Sequence, residues 1–305
     1  MANINPIGQD LTTGQLRPLS PLDVLANSAG GNVSGVLPSN ADGRLTASST
    51  LPVPNADVTA ATSIYYLPYL GRSVALYNNS WAYYDIGASG VAQSLSGFAA
   101  NTNFDAFLYN NSGVVTIETV AWSTSGAGTS ARATALARQD GVLVKSGDAT
   151  RRYLGTFRTT GTTGQTEDSQ ANRYVWNAQN RVLRISFRQA GGYTRNSTTV
   201  QQAANGSANV RTDLVVGLDH NVETTVDALI QPFATDQAFV GISLNAVAIQ
   251  SAVATWPQSV YNMGSIHFNA LVVPGYNFLT AIDWLSGSTD TVNYYVLNFM
   301  CPVET

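Results

Sequence analysis

The chain has 305 residues, of which 44% are apolar and only 11% are charged, against roughly 25% charged residues in an ordinary soluble domain. The apolar content excludes a disordered chain, and the single cysteine, Cys301, excludes an intrachain disulfide framework. So little charge is typical of a protein whose surface is covered by neighbours in a fixed assembly. We expect no secretory signal at the N-terminus and no membrane helix, because the required apolar runs are missing from the sequence.

Charge is distributed unevenly along the chain. Residues 132–211 hold eleven Arg and one Lys against four acidic residues, whereas residues 212–305 hold eight acidic residues and no Lys or Arg. We predict that the basic middle pairs with an acidic third, within one subunit or between copies, because the arginine fork binds carboxylates bidentately. Nucleic-acid binding is the alternative. The alternation of Arg with apolar residues in strand-like runs disfavours it.

The first 60 residues differ from the rest in composition. Seven of the eleven prolines precede residue 70, and proline is unfavourable in helix interiors and central strands. We therefore predict an extended arm over residues 1–60. Spaced apolar residues would offset the entropy cost of ordering such an arm along a neighbouring subunit. The predicted contact residues of the arm are Ile4, Ile7, Leu11, Leu16, Arg17, Leu19 and Leu22.

Residues 61–190 show the pattern of a β-domain. Asn78–Ser80 and Asn110–Gly113 are typical of the turns that join neighbouring strands. The predicted strands are Tyr65–Leu67, Val74–Tyr77, Trp81–Tyr84, Asp105–Tyr109 and Val114–Trp122. One short helix is predicted at Ser130–Arg138, where Thr129 or Ser130 can serve as the cap and Gly141 as the stop.

The segment Arg181–Arg188 shows strict two-residue alternation. One face of the predicted strand carries Leu183, Ile185 and Phe187, and the other carries Arg184, Ser186 and Arg188. This pattern predicts a half-buried strand with one wet or interface face. We predict that the basic residues Arg151, Arg152, Arg184 and Arg188 contact an acidic partner surface.

Residues 191–305 are expected to pack on the preceding domain or to continue it. After a polar stretch, their predicted strands are Leu214–Val216, Phe239–Ile249, Ile266–Val273, Phe278–Ile282 and Val292–Phe299. Closely spaced strands with few helices predict a mainly β chain with an antiparallel β-sandwich or jelly-roll-like body.

Residues that could perform chemistry are few. The two histidines, His220 and His267, lie far apart in the sequence and have no third clustered ligand, so neither predicts a metal site. A glycan-cleaving pair of carboxylates could come from Asp85, Asp105, Glu118, Glu167, Asp168 or Asp283. A carbohydrate-binding surface could use Trp81, Tyr83, Tyr84, Trp122, Trp176, Trp256 or Trp284, although core packing is the commoner role of such aromatics. We expect no enzyme activity, no cofactor and no metal.

A set of segments between Ile64 and Arg184 resembles a module of bacteriophage and prophage virion proteins, often described as tail-fibre-like. The segments are Tyr65–Tyr69, Val74–Tyr77, Phe104–Tyr109, Ala131–Val142, Lys145–Thr156, Thr166–Ser169 and Arg173–Asn177. The resemblance covers almost half of the chain. It implies a location in the virion but carries no catalytic residues and does not identify the part of the particle.

Two functions in a tailed-phage virion follow as expectations. The first is a capsid decoration or cement protein, a homotrimer that binds the major capsid protein on the outer surface, with no membrane or nucleic-acid partner. The apolar spacing of the arm favours it. The alternative is a short tail fibre or receptor-binding protein that recognises a host glycan, which the tail-fibre-like module favours.

Overall fold

The computed structural model of the chain describes residues 3–4, 24–26, 32–33, 36–231, 236–254, 262–288 and 291–305. Strands account for 59% of the structure and helices for 3%. The predictions of a mainly β chain and of an antiparallel sandwich are confirmed.

The first half of the chain forms mostly short strands joined by tight turns. Its strands are β1 (Asn3–Ile4), β2 (Val24–Ala26), β3 (Asn32–Val33), β4 (Gly43–Thr46), β5 (Val58–Ala61), β6 (Ser63–Pro68), β7 (Ser73–Tyr77), β8 (Trp81–Asp85), β9 (Val91–Ser94), β10 (Asn103–Asn111), β11 (Val114–Ala121), β12 (Leu136–Gln139) and β13 (Val142–Lys145).

The second half contains the longest strands. They are β14 (Asp148–Arg158), β15 (Thr166–Asp168), β16 (Asn172–Arg173), β17 (Val175–Asn177), β18 (Leu183–Ala190), β19 (Tyr193–Arg195), β20 (Gln201–Gln202), β21 (Arg211–Val216), β22 (His220–Gln231), β23 (Ala238–Leu244), β24 (Ser251–Ala254), β25 (Asn262–Val272), β26 (Gly275–Leu285) and β27 (Val292–Glu304). Helical structure in the described residues is limited to the turn Ala203–Gly206 and the 3-10 helix Ala208–Val210.

The middle sheet has the order β11-β10-β14-β13-β12, with β17 also paired to β14. The hairpin between β10 and β11 turns at Ser112 and Gly113, whose φ angles of 52° and 99° give the left-handed geometry that two-residue hairpins require. One face of this sheet packs against the small sheets β4-β6-β9 and β7-β8. The shared core contains Leu45, Ile64, Leu76, Phe104, Leu108 and Phe157.

The C-terminal half, together with β5, forms a two-layer sandwich. One layer is the eight-stranded sheet β24-β23-β26-β21-β16-β15-β5 with β20 on β26, and the other is the sheet β18-β27-β22-β25 with β19 on β27. Alternate residues of the long strands point inward, as expected for facing sheets. The core between the layers includes Val215, Val226, Ile242, Leu279, Leu297 and Phe299.

The predicted helix at Ser130–Arg138 is wrong. The segment ends in strand β12, and a hairpin turn at Asp140 (φ 48°) and Gly141 (φ 84°) leads into β13. The Arg132 side chain reaches the buried Asp105 carboxylate at 2.6 Å. These tertiary contacts override the local helix propensity of an Ala- and Arg-rich segment.

The packed body begins before residue 60 and continues across residue 190. Residues 36–60 belong to the packed body, because every position of β4 is buried and Arg44 donates a 2.6 Å hydrogen bond to the carbonyl oxygen of Thr305. Strand β18 pairs with β27 from Leu183–Glu304 to Ala190–Leu297, and β5, β15 and β16 join the eight-stranded sheet. The regions 61–190 and 191–305 therefore share both layers of the sandwich.

Candidate interaction surface

Strand β18 exposes its apolar face. The exposed fractions of Leu183, Ile185 and Phe187 are 62%, 51% and 49%, whereas Ser186, on the other face, is completely buried. Arg184 also points inward, and its guanidinium lies 3.7 Å from the Asp168 carboxylate. The alternation predicted from sequence is present, but the face that turns outward is the apolar one.

Strand β27 extends this apolar surface by one strand. Phe187 pairs with Met300 and Ile185 pairs with Pro302 across the two strands, so their side chains stand side by side on the same sheet face. Met300 is 38% exposed. We refer to Leu183, Ile185, Phe187, Met300 and Pro302 as the apolar stripe.

The outer edge of β18 is closed by side chains. Arg173 donates a 2.9 Å hydrogen bond to the carbonyl oxygen of Ile185, and the Gln170 side-chain oxygen accepts one from the Phe187 amide at 3.3 Å. Natural proteins protect edge strands in this way against pairing with another chain. A partner can therefore reach the stripe through the sheet face but not by adding a strand to this edge.

Two open grooves flank the apolar stripe. The first, of about 530 Å³, is lined by Arg181, Leu183, Asp219, His220, Asn221, Glu223, Pro302 and Glu304. Burial, followed by the charge of Arg181, lowers the pKa of His220. The second, of about 690 Å³, is lined by Pro54, Asn55, Ala56, Asp57, Gln170, Arg173, Leu183, Arg184, Ile185 and Phe187. The first groove has more acidic than basic groups, whereas the second contains two guanidinium groups and one carboxylate.

The four predicted basic contact residues all bond within the chain. Arg151 pairs with Glu118 at 2.7 Å, and Arg188 donates to the Ala208 carbonyl oxygen at 3.2 Å. Arg152 is only 1% exposed, so its prediction as a contact with a partner is wrong. Its burial follows from a position on β14 that faces the inner core of the protein.

Arg152 holds the segment at the start of the continuous structure. Its guanidinium donates to the carbonyl oxygens of Pro38 (2.6 Å), Ala75 (2.8 Å) and Ser39 (3.0 Å) and to the side-chain oxygen of Gln179 (3.0 Å). Burial lowers the pKa of Arg152 to about 10, so the group remains cationic at neutral pH. The sequence alone gives no sign of this role, because the acceptors are backbone atoms distant in the chain.

The predicted pairing of the basic middle with the acidic third holds for some residues only. Arg181, Arg195 and Arg211 reach Glu304, Asp283 and Asp213 in the C-terminal third, at 3.7, 3.1 and 2.5 Å. Arg132 and Arg151 instead pair with the earlier Asp105 and Glu118, and Arg173 with Asp168.

The candidate carboxylates are mostly engaged in these ion pairs. Asp105 accepts from Arg132 and from the Thr156 hydroxyl at 2.6 Å, and burial raises its pKa. Asp283 is completely buried; burial raises its pKa to about 6 against the hydrogen bond from Tyr193 and the charge of Arg195. Such partners hold Asp105 in place in the middle sheet and Asp283 in the sandwich.

The candidate aromatics divide between core and surface. Trp176 and Trp122 are 1% and 6% exposed, whereas Tyr83 is 43% exposed. Tyr83 lines an open cleft of about 370 Å³ together with Asp42, Arg72, Ser73, Tyr84 and Asp85. Trp256 lies outside the described residues.

Most of the predicted arm contacts, namely Ile7, Leu11, Leu16, Arg17, Leu19 and Leu22, lie outside the described residues, and Ile4 is described only as part of β1. Within the described parts of the chain, no three His, Cys, Asp or Glu side chains are grouped as a metal site would require. The same parts contain no helix with the length and apolarity to span a membrane.

Comparison with known proteins identifies no family. No family model matches the chain, and no curated protein does so significantly. Similar solved structures include dimeric latent PorU from Porphyromonas gingivalis (8% identity, TM-score 0.29, 68% of this chain and 22% of that one). Others are the isomalto-dextranase of Arthrobacter globiformis T6 (10%, 0.20, 78% and 35%) and the exo-β-1,3-galactanase of Phanerochaete chrysosporium (10%, 0.20, 80% and 56%). The chain covers between 22% and 56% of the length of these three proteins.

Proposed function

We propose that the chain is a structural protein of a tailed-bacteriophage virion that decorates and stabilises the capsid. In this proposal it acts as a homotrimer on the outer surface and binds the major capsid protein through residues 1–35. The resemblance of Ile64–Arg184 to phage virion modules and the low charge of the chain support this function.

The observation that carries the proposal is the buried anchor at Arg152. A segment that ties a decoration protein to a shell must transmit force into a folded body, so its root must be fixed. Pro38 and Ser39, just after residues 1–35, are held by the Arg152 guanidinium, which also bonds to Ala75 of β7. Hydrogen bonds to a buried charged donor are among the stronger ones in proteins.

The proposed mechanism is mechanical. Each copy would add buried area across a joint between capsid subunits, and many copies would multiply a modest contact energy over the whole shell. The middle sheet and the sandwich pack on a common core, which would transfer load from the Arg152 anchor through the body.

Deletion of residues 2–33 tests the proposal. This truncation spares Pro38, Ser39 and Asn40, whose carbonyl oxygens accept hydrogen bonds inside the body, so the remaining chain should fold. We expect the truncated protein to keep its thermal unfolding transition and to lose binding to purified particles that lack the protein. The full-length chain is the control. Normal decoration by the truncated chain would refute the role of the segment.

A short tail fibre or receptor-binding protein is the second candidate. The open cleft beside Tyr83 favours it, because an exposed aromatic ring next to Arg72 and two carboxylates, Asp42 and Asp85, suits a sugar. Quantitative mass spectrometry of purified particles separates the candidates. A copy number of the same order as that of the major capsid protein supports decoration, and a small fraction of it supports a tail appendage.

A further inference from the structure

We propose that the apolar stripe is the contact between copies of this chain, with the stripes of three copies packed around a symmetry axis that runs along β18. The number of copies rests on the proposed function. The location of the contact rests on the structure of the β18 and β27 face.

Single exposed apolar residues are common on soluble proteins and need no explanation. The stripe is different, because Leu183, Ile185 and Phe187 occupy every second position of one strand and adjoin Met300 and Pro302 on the next. The inward face of the same strand carries Ser186, which is buried, and Arg184, which is mostly buried. In a monomer, a β18 strand that buried its apolar residues and exposed its polar ones would be more stable. The observed orientation therefore indicates that another surface covers the stripe.

The width of the stripe favours contact around an axis over a flat two-copy interface. Two strands about 5 Å apart and three alternate residues about 7 Å apart give a stripe roughly 10 Å by 15 Å. The area of such a stripe is well below the ~800 Å² that each partner contributes to a stable flat interface. Around a three-fold axis, each stripe contacts two others, and the flanking grooves of neighbouring copies add further area.

The two flanks of the stripe also differ in charge. The groove on the β27 side contains Asp219, Glu223 and Glu304 against Arg181. The groove on the β18 side contains Arg173 and Arg184 against the Asp57 carboxylate. Arg173 is almost completely buried on Asp168, whereas the side chain of Arg184 is 11% exposed. Rotation around the axis brings the first flank of one copy against the second flank of the next, which is a head-to-tail contact that closes into a ring. The more acidic flank of one copy then faces the less acidic flank of the next, where Arg184 is the partly accessible cation.

The oligomeric state of the full-length chain in solution tests this proposal. We expect sedimentation equilibrium to show a trimer for the wild type. The double variant Ile185→Ser/Phe187→Ser should be monomeric, with a dissociation constant about a hundred-fold higher, since two central apolar residues lose their contacts. The matched control is Leu70→Ser/Val114→Ser, which alters two residues of comparable exposure, 72% and 65%, away from the stripe. It should remain trimeric.

A cross-linking variant gives a second measurement. Ile185→Cys should form disulfide-linked copies under mild oxidation, because like residues meet at the axis, whereas Leu70→Cys should not. The native Cys301 is completely buried and should not contribute. Unchanged far-UV circular dichroism of each variant shows that the fold is retained.

A wild type that stays monomeric or forms only dimers overturns the proposed arrangement, as does a stripe variant that still forms trimers. These outcomes are distinct from failure of the proposed function. A trimer that depends on the stripe but does not bind capsids would leave this inference standing and refute capsid decoration.

Discussion

In the middle sheet and the small sheet β4-β6-β9 packed on it, the most deeply buried side chains include arginines, whereas at the edge of the sandwich aliphatic and aromatic side chains face outward. Arg152 of β14 is 1% exposed, and Arg44 of β4 is 2% exposed. Ile185 and Phe187 of β18, in contrast, are about half exposed. The middle sheet contributes Phe107, Tyr153 and Trp176 to the core of the sandwich, so this difference arises within one continuous body.

The difference separates two uses of a strand. In these two sheets, the arginine donors bond to carbonyl oxygens of neighbouring segments, and removing a buried donor leaves such acceptors with fewer hydrogen bonds, which costs free energy. At β18, the inward positions are occupied by Ser186 and by an arginine bound to Asp168. The buried arginines stabilise the fold of one copy. The inward polar residues of β18 leave an apolar surface that can contact another copy.

Breaking the buried Asp105–Arg132 pair should produce the largest loss of stability. Asp105→Ala leaves the Arg132 guanidinium without its carboxylate, and removing one partner of a buried pair typically costs about 3–5 kcal/mol. The free energy of unfolding from urea titration measures this loss. Asp85→Ala is the control, because Asp85 and Arg72 are more than half exposed and such pairs contribute about 1 kcal/mol or less. Equal losses for both variants would contradict the structural role of the buried pair.

The second largest effect is expected from Arg152. Arg152→Met keeps most of the side-chain volume but removes the donors to Pro38, Ser39 and Ala75, so we expect a loss of about 3 kcal/mol. Urea titration of the wild type and the variant, at protein concentrations low enough to dissociate the oligomer, measures this loss. Arg138→Met, which alters an exposed arginine, should change stability by less than about 0.5 kcal/mol. A loss below about 1 kcal/mol for Arg152→Met would show that the anchor is weak.

A pH-dependent term of intermediate size is expected from Asp283. Its pKa is raised from the ordinary 3.8 to about 6 by burial, so the folded state binds this proton more tightly than the unfolded chain. Its contribution is therefore most favourable below about pH 4, declines as the pH rises towards 6, and is constant above that. Over this window the stability of Asp283→Asn relative to the wild type should rise by at most about 3 kcal/mol.

Urea titrations of the wild type and Asp283→Asn at several pH values between 4 and 7 measure this term. The substitution also changes the partner of Arg195, which shifts all values by a similar amount, so the slope of the difference is the informative quantity. A flat difference across the window would show that Asp283 titrates at its ordinary pKa.

These regions also show what sequence can predict. Strands and turns from Tyr65 to Trp122 were predictable, because hairpin residues and alternation act over a few positions. The exposed face of β18 was not, since a two-residue period gives two faces and only distant partners, such as β27 and Asp168, decide which one is buried. The Arg152 anchor was not predictable either, because carbonyl acceptors carry no side-chain signature. The helix at Ser130–Arg138 failed because the Asp105 contact of Arg132 outweighs local propensity.

The smallest effects on the unfolding of a single copy are expected at the stripe. Phe187→Ser should lower the free energy of unfolding of the monomer by less than about 1 kcal/mol, because the ring is already half in water. Ser186→Ala, one position away, removes a buried hydroxyl that has no hydrogen-bond partner in the described residues and should be neutral or stabilising by up to about 1 kcal/mol. Unfolding at protein concentrations low enough to dissociate the oligomer measures both changes. A large loss for Phe187→Ser under those conditions would place the ring inside the core of one copy and remove the contrast between the two regions.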